Sequence, residues 1–203
     1  MEALSEQKAR LRAGFAERRD GLDPAARALA SAQMCRHLLA SERWNDASGI
    51  AAFVSIRSEP DTAAVLTAAL ARGRSLWLPR LESRTELSFR RVEGDEALEG
   101  LVPGRFGLLE PPDTAPSVNL SRASGVDLVI VPGLAFGRDG SRLGYGAGYY
   151  DRALAVATPA DRPTACGICF DRFFDPPEGR PPMAEHDVPM DYVLTESGLH
   201  ALT

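Results

Sequence analysis

The stretch Asp127–Asp151 reads DLVIVPGLAFGRDGSRLGYGAGYYD and decides the fold. Leu128-Val129-Ile130-Val131 is a continuous apolar run with no polar alternation, the pattern of a strand buried on both faces of a sheet. Glycines follow at 137, 140, 144, 146 and 148, and the pattern then predicts a helix from Ala147 to Ala157. Strand, glycine-rich loop and helix start are the parts of a phosphate cradle. Glycine lets backbone N–H groups approach an anion, and the helix start adds unpaired donors. Arg138, Arg142 and Arg152 supply cations able to reach phosphate oxygens. Asp151, one turn into the helix, is placed to hold a divalent metal against the same phosphates. The competing reading is a glycine-rich loop that binds no phosphate. Gly144-x-Gly146-x-Gly148 lacks the spacing of a dinucleotide fingerprint, and no Lys-Ser or Lys-Thr follows to make a P-loop.

Upstream, Gly49–Ile56 reads as a buried strand, stopped by Pro60. Asp61 or Thr62 then caps a helix, Ala63–Arg72, which Gly73 ends. Ser75–Pro79 is a second buried strand. Strand, helix and strand within about 30 residues predict a right-handed βαβ unit in a parallel sheet, with ligands beyond the carboxyl ends of the strands. Glu59 sits at such an end, where the plainer role is a capping or solvent-facing carboxylate. The chain begins with a charged helix, Ser5–Arg19, with Leu4, Leu11 and Phe15 on one stripe. Lys8 and Arg12 share a face at i and i+4, where a solvated surface is the plainer role. Asp23-Pro24 starts a second helix running to about Ser41, with Leu29, Met34, Leu38 and Leu39 inward.

Glu86–Val92 alternates and reads as an exposed or edge strand, and residues 94–126 are loop-rich. In the helix after the glycine loop, Tyr149, Tyr150, Leu154 and Val156 are the large side chains, and Pro159 to Pro163 breaks it. Thr164–Phe170 and Tyr192–Thr195 are further strands, separated by a proline-rich loop. One α/β domain over 1–203 accounts for the pattern.

Length and composition agree. The chain has 203 residues, 44% hydrophobic and 25% charged, with a formal net charge of −5. An acidic balance leaves no electrostatic footprint for nucleic acid. No apolar run nears the about 18 residues of a membrane span, and the first residues lack a signal-peptide core. A cytoplasmic location follows. Three cysteines, an odd number, argue against a disulfide framework. Cys166-x-x-Cys169 lies in a strand, where residues three apart face opposite ways, so both are expected to be buried structural thiols.

Taken together, the residues resemble the 5-formyltetrahydrofolate cyclo-ligase (5,10-methenyltetrahydrofolate synthetase) family. The resemblance is carried by Pro132 to Phe136 and by Asp139 to Arg152. It is supported by Lys8, Arg12, Ser58 to Thr62, Phe106-Gly107, Glu110-Pro111, His186-Asp187 and Leu194 to Glu196, in order along nearly the whole chain. It implies a single three-layer α/β domain whose mostly parallel or mixed central sheet is flanked by helices. It also implies a Mg²⁺-dependent enzyme acting on two small molecules, ATP and 5-formyltetrahydrofolate, with neither a nucleic-acid nor a membrane partner. A monomer is the expectation, although no residue pattern reports oligomeric state. The implied ATP site is Lys8, Arg12 and the run Arg142, Leu143, Gly144, Tyr145, Gly146, Ala147, Gly148, Tyr149 and Tyr150. The implied folate site is Val54, Glu59 and Tyr145 to Tyr149, with Tyr149 either a flat surface for the pterin or a core contact. Asp151 and Asp187 would carry magnesium, and Arg142, Tyr149 and Asp151 form the catalytic group.

Three positions depart from the pattern. Tyr145 stands where relatives often have a basic or long residue, Ala147 where they have Gly or Lys, and Pro60 where a β-branched residue is expected. A missing cation at 145 or 147 would weaken ATP affinity or move phosphate contacts to Arg138 or Arg142. Two alternatives stay open: a paralogue using the same ATP loop on another substrate, and a folate-binding protein without catalysis.

Overall fold

The computed structural model describes residues 3–94 and 97–202, with the Phe106 side chain of the family match outside that description. In chain order the elements are α1 (Leu4–Asp20), α2 (Pro24–Leu39), α3 (Glu42–Asp46), β1 (Gly49–Ala51), α4 (Ala63–Ala71), β2 (Ser75–Leu81), β3 (Leu87–Val92), β4 (Val102–Pro103), β5 (Leu109–Glu110), β6 (Ser117–Val118), β7 (Leu128–Pro132), β8 (Ala135–Phe136), β9 (Arg142–Leu143), α5 (Tyr149–Leu154), β10 (Thr164–Ile168), β11 (Tyr192–Thr195) and β12 (Gly198–Ala201).

Eight strands form one sheet in the order β12-β11-β10-β7-β1-β2-β3-β6. The five from β11 to β2 run parallel, while β12, β3 and β6 pair antiparallel at the two margins. This is the mixed sheet flanked by helices that the family resemblance implies. The apolar run at 128–131 forms β7 in its middle, and all four side chains are buried. From β1 the chain winds one way to β2; from β7 it winds the other way to β10. The topological switch point therefore lies between β1 and β7, and open α/β sheets bind ligands beside the strands that flank it.

The amino ends of the parallel strands are fastened by two aspartates. Asp127, just before β7, accepts the N–H groups of Ser48 at 2.8 Å and Gly49 at 3.0 Å, at the start of β1. Asp191, just before β11, accepts the N–H of Ala165 in β10 at 2.7 Å and holds Arg162 at 2.6 Å. Each joins two neighbouring strands where the ladder begins, giving backbone donors a charged acceptor.

Several boundaries differ from expectation. The strand expected over Gly49–Ile56 is β1, only Gly49–Ala51. Beyond it the chain turns, because Ser55 Oγ donates to Pro60 O and accepts from Thr62 N–H, while the Thr62 hydroxyl donates to Phe53 O. Asp61, not the Thr62 side chain, caps α4, accepting from Ala63 N–H at 2.9 Å. Leu29 is 62% exposed rather than inward. The buried face of α2 is Ser31, Met34, Cys35 and Leu38, and Leu29 lies roughly 200° round the helix from Ser31. In α1 the buried stripe is Lys8, Leu11, Phe15 and Arg19, so Leu4 falls outside it. The helix expected over 147–157 is α5, six residues long. Gly146 and Gly148 have φ of +104° and +66°, conformations that cannot extend a right-handed helix, and Val156 lies exposed beyond its end. The strand β12 was not anticipated. The alternating strand over residues 86–92 is β3, one place in from the margin, covered only by the two-residue β6.

Cys35, Cys166 and Cys169 are all free and buried. Burial pushes the Cys166 thiol up to about 12 and raises Cys169 and Cys35 as well. The native protein should therefore leave its thiols unreacted with a disulfide reagent at pH 8, and all three should react once urea unfolds it. A thiol that reacts rapidly in the native state would contradict this packing.

Candidate active site

Glu59 lies in the turn leaving β1, and the motif loop continues the chain beyond β7. The two segments flank the switch point. The Tyr145 hydroxyl donates to Glu59 Oε1 at 2.5 Å, and the other carboxylate oxygen accepts Ile56 N–H at 3.0 Å. Val54 is half-buried beside the core in the same turn region. The opposite side of the loop meets α1, where Arg12 Nε donates to Gly144 O at 3.0 Å. A Cβ on Gly146 would come within 3.3 Å of the Arg12 guanidinium carbon, so glycine at 146 permits both the positive φ and the approach of Arg12.

Beyond the loop, two ion pairs stand together. Arg142 Nη2 donates to Asp151 Oδ2 at 2.7 Å, with both side chains mostly buried. Lys8 Nζ pairs with Asp187 Oδ2. Val188 N–H donates to Asp151 Oδ1 at 3.3 Å, so the two pairs are one backbone link apart. Asp187 also accepts Ala184 N–H at 2.7 Å. Burial opposes ionisation of Asp187, yet hydrogen bonds from Lys8 and Ala184 hold its carboxyl below the usual value. Arg142 Nε and the Tyr150 hydroxyl are buried without a hydrogen-bond partner among the described residues. The Arg142 guanidinium sits 5.8 Å from the Tyr150 ring centroid.

The structure thus brings together Lys8, Arg12, Glu59, Arg142, Gly144, Tyr145, Gly146, Asp151 and Asp187. It narrows other assignments. The Leu143 and Tyr150 side chains are buried, Tyr150 in edge-to-face contact with Phe89 at 5.8 Å. Any ATP contact from Leu143 is therefore left to its backbone. The Tyr149 hydroxyl donates to Arg84 O at 2.9 Å and is engaged with the β2–β3 turn instead of free for chemistry, and the Arg152 guanidinium lies over the ring, 5.5 Å from its centroid. Arg152 is tied to Thr85 O and Ala147 O, and Arg138 to Asp175. Of the three loop arginines only Arg142 joins the cluster. The six-residue α5 also offers little of the helix-end field expected for phosphate.

Arg19 and Ser58 were missed as site neighbours. Arg19 is 3% exposed; its Nε donates to Ser58 Oγ at 3.0 Å, and its guanidinium lies 5.5 Å from the Tyr145 ring centroid. The signal was present, because Lys8, Leu11, Phe15 and Arg19 recur at helical spacing. Two surface hollows, of about 520 and 410 Å³, include none of Glu59, Asp151 or Asp187, so the chemistry and not the hollows identifies the site.

A sequence profile described as the 5-formyltetrahydrofolate cyclo-ligase family matches residues 4–196. The chain belongs to the 5-formyltetrahydrofolate cyclo-ligase family. A relative from Mus musculus named 5-formyltetrahydrofolate cyclo-ligase is 26% identical over 196 residues, covering 95% of each chain. One of the same name from Mycolicibacterium smegmatis is 34% identical over 155 residues, 75% of this chain and 76% of that one. Among solved structures, the NMR structure of Aquifex aeolicus 5,10-methenyltetrahydrofolate synthetase superposes with a TM-score of 0.80 at 29% identity. It covers 96% of this chain and 92% of that chain.

The donor set suits the magnesium that this family's reaction implies. Asp151 and Asp187 are hard oxygen donors, and no group of three or more His, Cys, Asp or Glu residues gathers among the described residues. Mg²⁺ asks for no more, since it usually takes one or two carboxylates and completes its shell with phosphate and water. Arg142, paired with Asp151, keeps its Nε without a hydrogen-bond partner among the described residues.

The buried Lys8–Asp187 pair yields a prediction. Lys8→Met strands Asp187 and should lower stability by about 3 kcal/mol. A double-mutant cycle with Asp187→Asn in urea should return a coupling of about 1–3 kcal/mol. Additive losses would show that the pair contributes nothing.

Proposed function

We propose that this chain cyclises 5-formyltetrahydrofolate to 5,10-methenyltetrahydrofolate at the expense of ATP, releasing ADP and phosphate. The observation that carries the reading is the reach of one loop. Between Arg142 and Asp151 it touches Glu59 through Tyr145, the α1 cations through Gly144, and the Asp187 segment through Asp151. An acceptor for the pterin-side donors and a cluster of cations for phosphate are thereby gathered around one loop, as transfer between two bound small molecules requires.

The chemistry explains why such a site suffices. The formyl oxygen of the folate is amide-like and a poor leaving group. Its attack on the γ-phosphorus of ATP expels ADP and converts it into a phosphate ester of the imidate. The folate N10 then closes on the formyl carbon, phosphate departs with the oxygen, and the N10 proton is lost. The protein's work is alignment and charge neutralisation. Glu59 accepts from the pterin-side N–H groups. Lys8, Arg12 and Arg142 hold phosphate oxygens, Lys8 and Arg142 exchanging their carboxylates for them. Asp151 and Asp187 would then hold Mg²⁺, whose chemistry at that place is to neutralise charge on the phosphate oxygens. No helix among the described residues is long and apolar enough to cross a membrane, and a cytoplasmic monomer of one domain remains part of this proposal.

The test is growth of the near-ultraviolet band of the methenyl product from 5-formyltetrahydrofolate, Mg²⁺ and ATP. ATP-dependent growth at an enzymatic rate is expected; none at saturating substrates would overturn the reading. Asp151→Asn should lower kcat on the order of 100-fold with folate binding retained. Glu59→Gln should raise KM for the folate and leave that for ATP near its original value. The reverse pattern would move Glu59 to the nucleotide side.

A further inference from the structure

The folate acceptor of this chain is already occupied from within. Both Glu59 oxygens are hydrogen-bonded, one to Ile56 N–H at 3.0 Å and the other to the Tyr145 hydroxyl at 2.5 Å. Glu59 is 9% exposed, whereas Tyr145 is 50% exposed. One end of the tyrosine is therefore sunk on Glu59 while much of the residue faces solvent. Burial and the neighbouring Glu59 charge raise the phenol, so it stays a neutral donor. Arg19, buried under the same turn, steers the ring from 5.5 Å and is itself fixed by Ser58.

The mobility needed to undo this contact is built in. Tyr145 lies between Gly144 and Gly146, the latter at φ +104°, and no strand or helix includes it. Its removal from Glu59 breaks one hydrogen bond to the carboxylate and loosens the contact with Arg19. Each carboxylate oxygen can accept two hydrogen bonds, but Glu59 is only 9% exposed, so little of it is open to a folate donor while the Tyr145 hydroxyl stays in place.

We infer that Tyr145 is an internal competitor for the folate: its hydroxyl holds the Glu59 carboxylate in the empty site and must leave before the pterin-side donors engage. The inference rests on the reading of Glu59 as the folate acceptor. It makes Tyr145 the residue that sets folate affinity in this chain. Binding gains only the difference between the incoming hydrogen bonds and the one released, and a hydrogen bond to a charged acceptor is among the stronger ones.

The experiment is calorimetric titration of 5-formyltetrahydrofolate, without ATP, into the wild type, Tyr145→Phe, Glu59→Ala and the double variant. Phenylalanine keeps the ring and its contact with Arg19 and deletes only the hydroxyl. Tyr145→Phe should lower Kd by about 5- to 20-fold, as expected for loss of a competing bond to a carboxylate. With Glu59→Ala in place the tightening should vanish. A weaker Kd in Tyr145→Phe would mean that the hydroxyl contacts the folate, and an unchanged Kd that its displacement is free; either overturns the inference. So would tightening that persists without Glu59. If Glu59→Ala binds as well as the wild type, the assignment of Glu59 fails instead. If the wild type binds no 5-formyltetrahydrofolate, the proposed function fails and the inference with it.

Discussion

A cation withdrawn from water must find an acceptor, and α1 withdraws two. Lys8 is 9% exposed and Arg19 is 3% exposed, and burying an unpaired ion costs several kcal/mol after relaxation. The helix can therefore dock only where acceptors wait. Lys8 meets Asp187, 179 positions further on. Arg19 meets Ser58, which in turn donates to Asp20. Leu11 and Phe15 between them bring the apolar area that drives docking, while the ends of the stripe set its register. Three parts of the site meet α1 through that register: the glycine loop at Arg12, the Asp187 segment at Lys8, and the Glu59 turn at Arg19 through Ser58.

The same constraint explains what was legible in the sequence. Apolar runs at 75–79 and 128–131 announced the parallel core, and the glycine loop announced the site, because both are local patterns with one physical meaning. Lys8 and Arg12 are visible as a pair, but the apolar spacing predicts an inward stripe that begins at Leu4. Charge normally marks the solvent side of a helix, and here the exception is enforced by partners remote in sequence. Leu29 fails for the opposite reason, an apolar residue on a face that nothing covers. The shortness of α5 follows from positive φ at Gly146 and Gly148, which no periodicity reports. The contact between Tyr145 and Glu59 joins loops 86 positions apart, and only the pairing of β1 with β7 brings them together.

Electrostatically, the site is neutral by local pairing. Arg142 answers Asp151, and Lys8 answers Asp187. On the proposed reading, phosphate oxygens would take the two cations and a metal ion the two carboxylates, so each of the four would exchange one counter-charge for another. Four buried charges are kept ready in this way without leaving any of them unpaired. Tyr150, its ring packed on Phe89 and near Arg142, gives this arrangement an apolar wall that keeps the local dielectric low.

The aspartates at the amino ends of the strands carry a different consequence. Asp127 and Asp191 stitch β1 to β7 and β10 to β11 where those strands begin, away from the turns that leave β1 and β7 toward the ligands. The determinants of assembly and of recognition are thus written at opposite poles of one sheet. Substitutions at the loop pole, at Tyr145 or Ala147 for example, then leave the stitched pole and the strand order intact. A lineage built this way can drift in what it prefers to bind long before it loses the ability to fold.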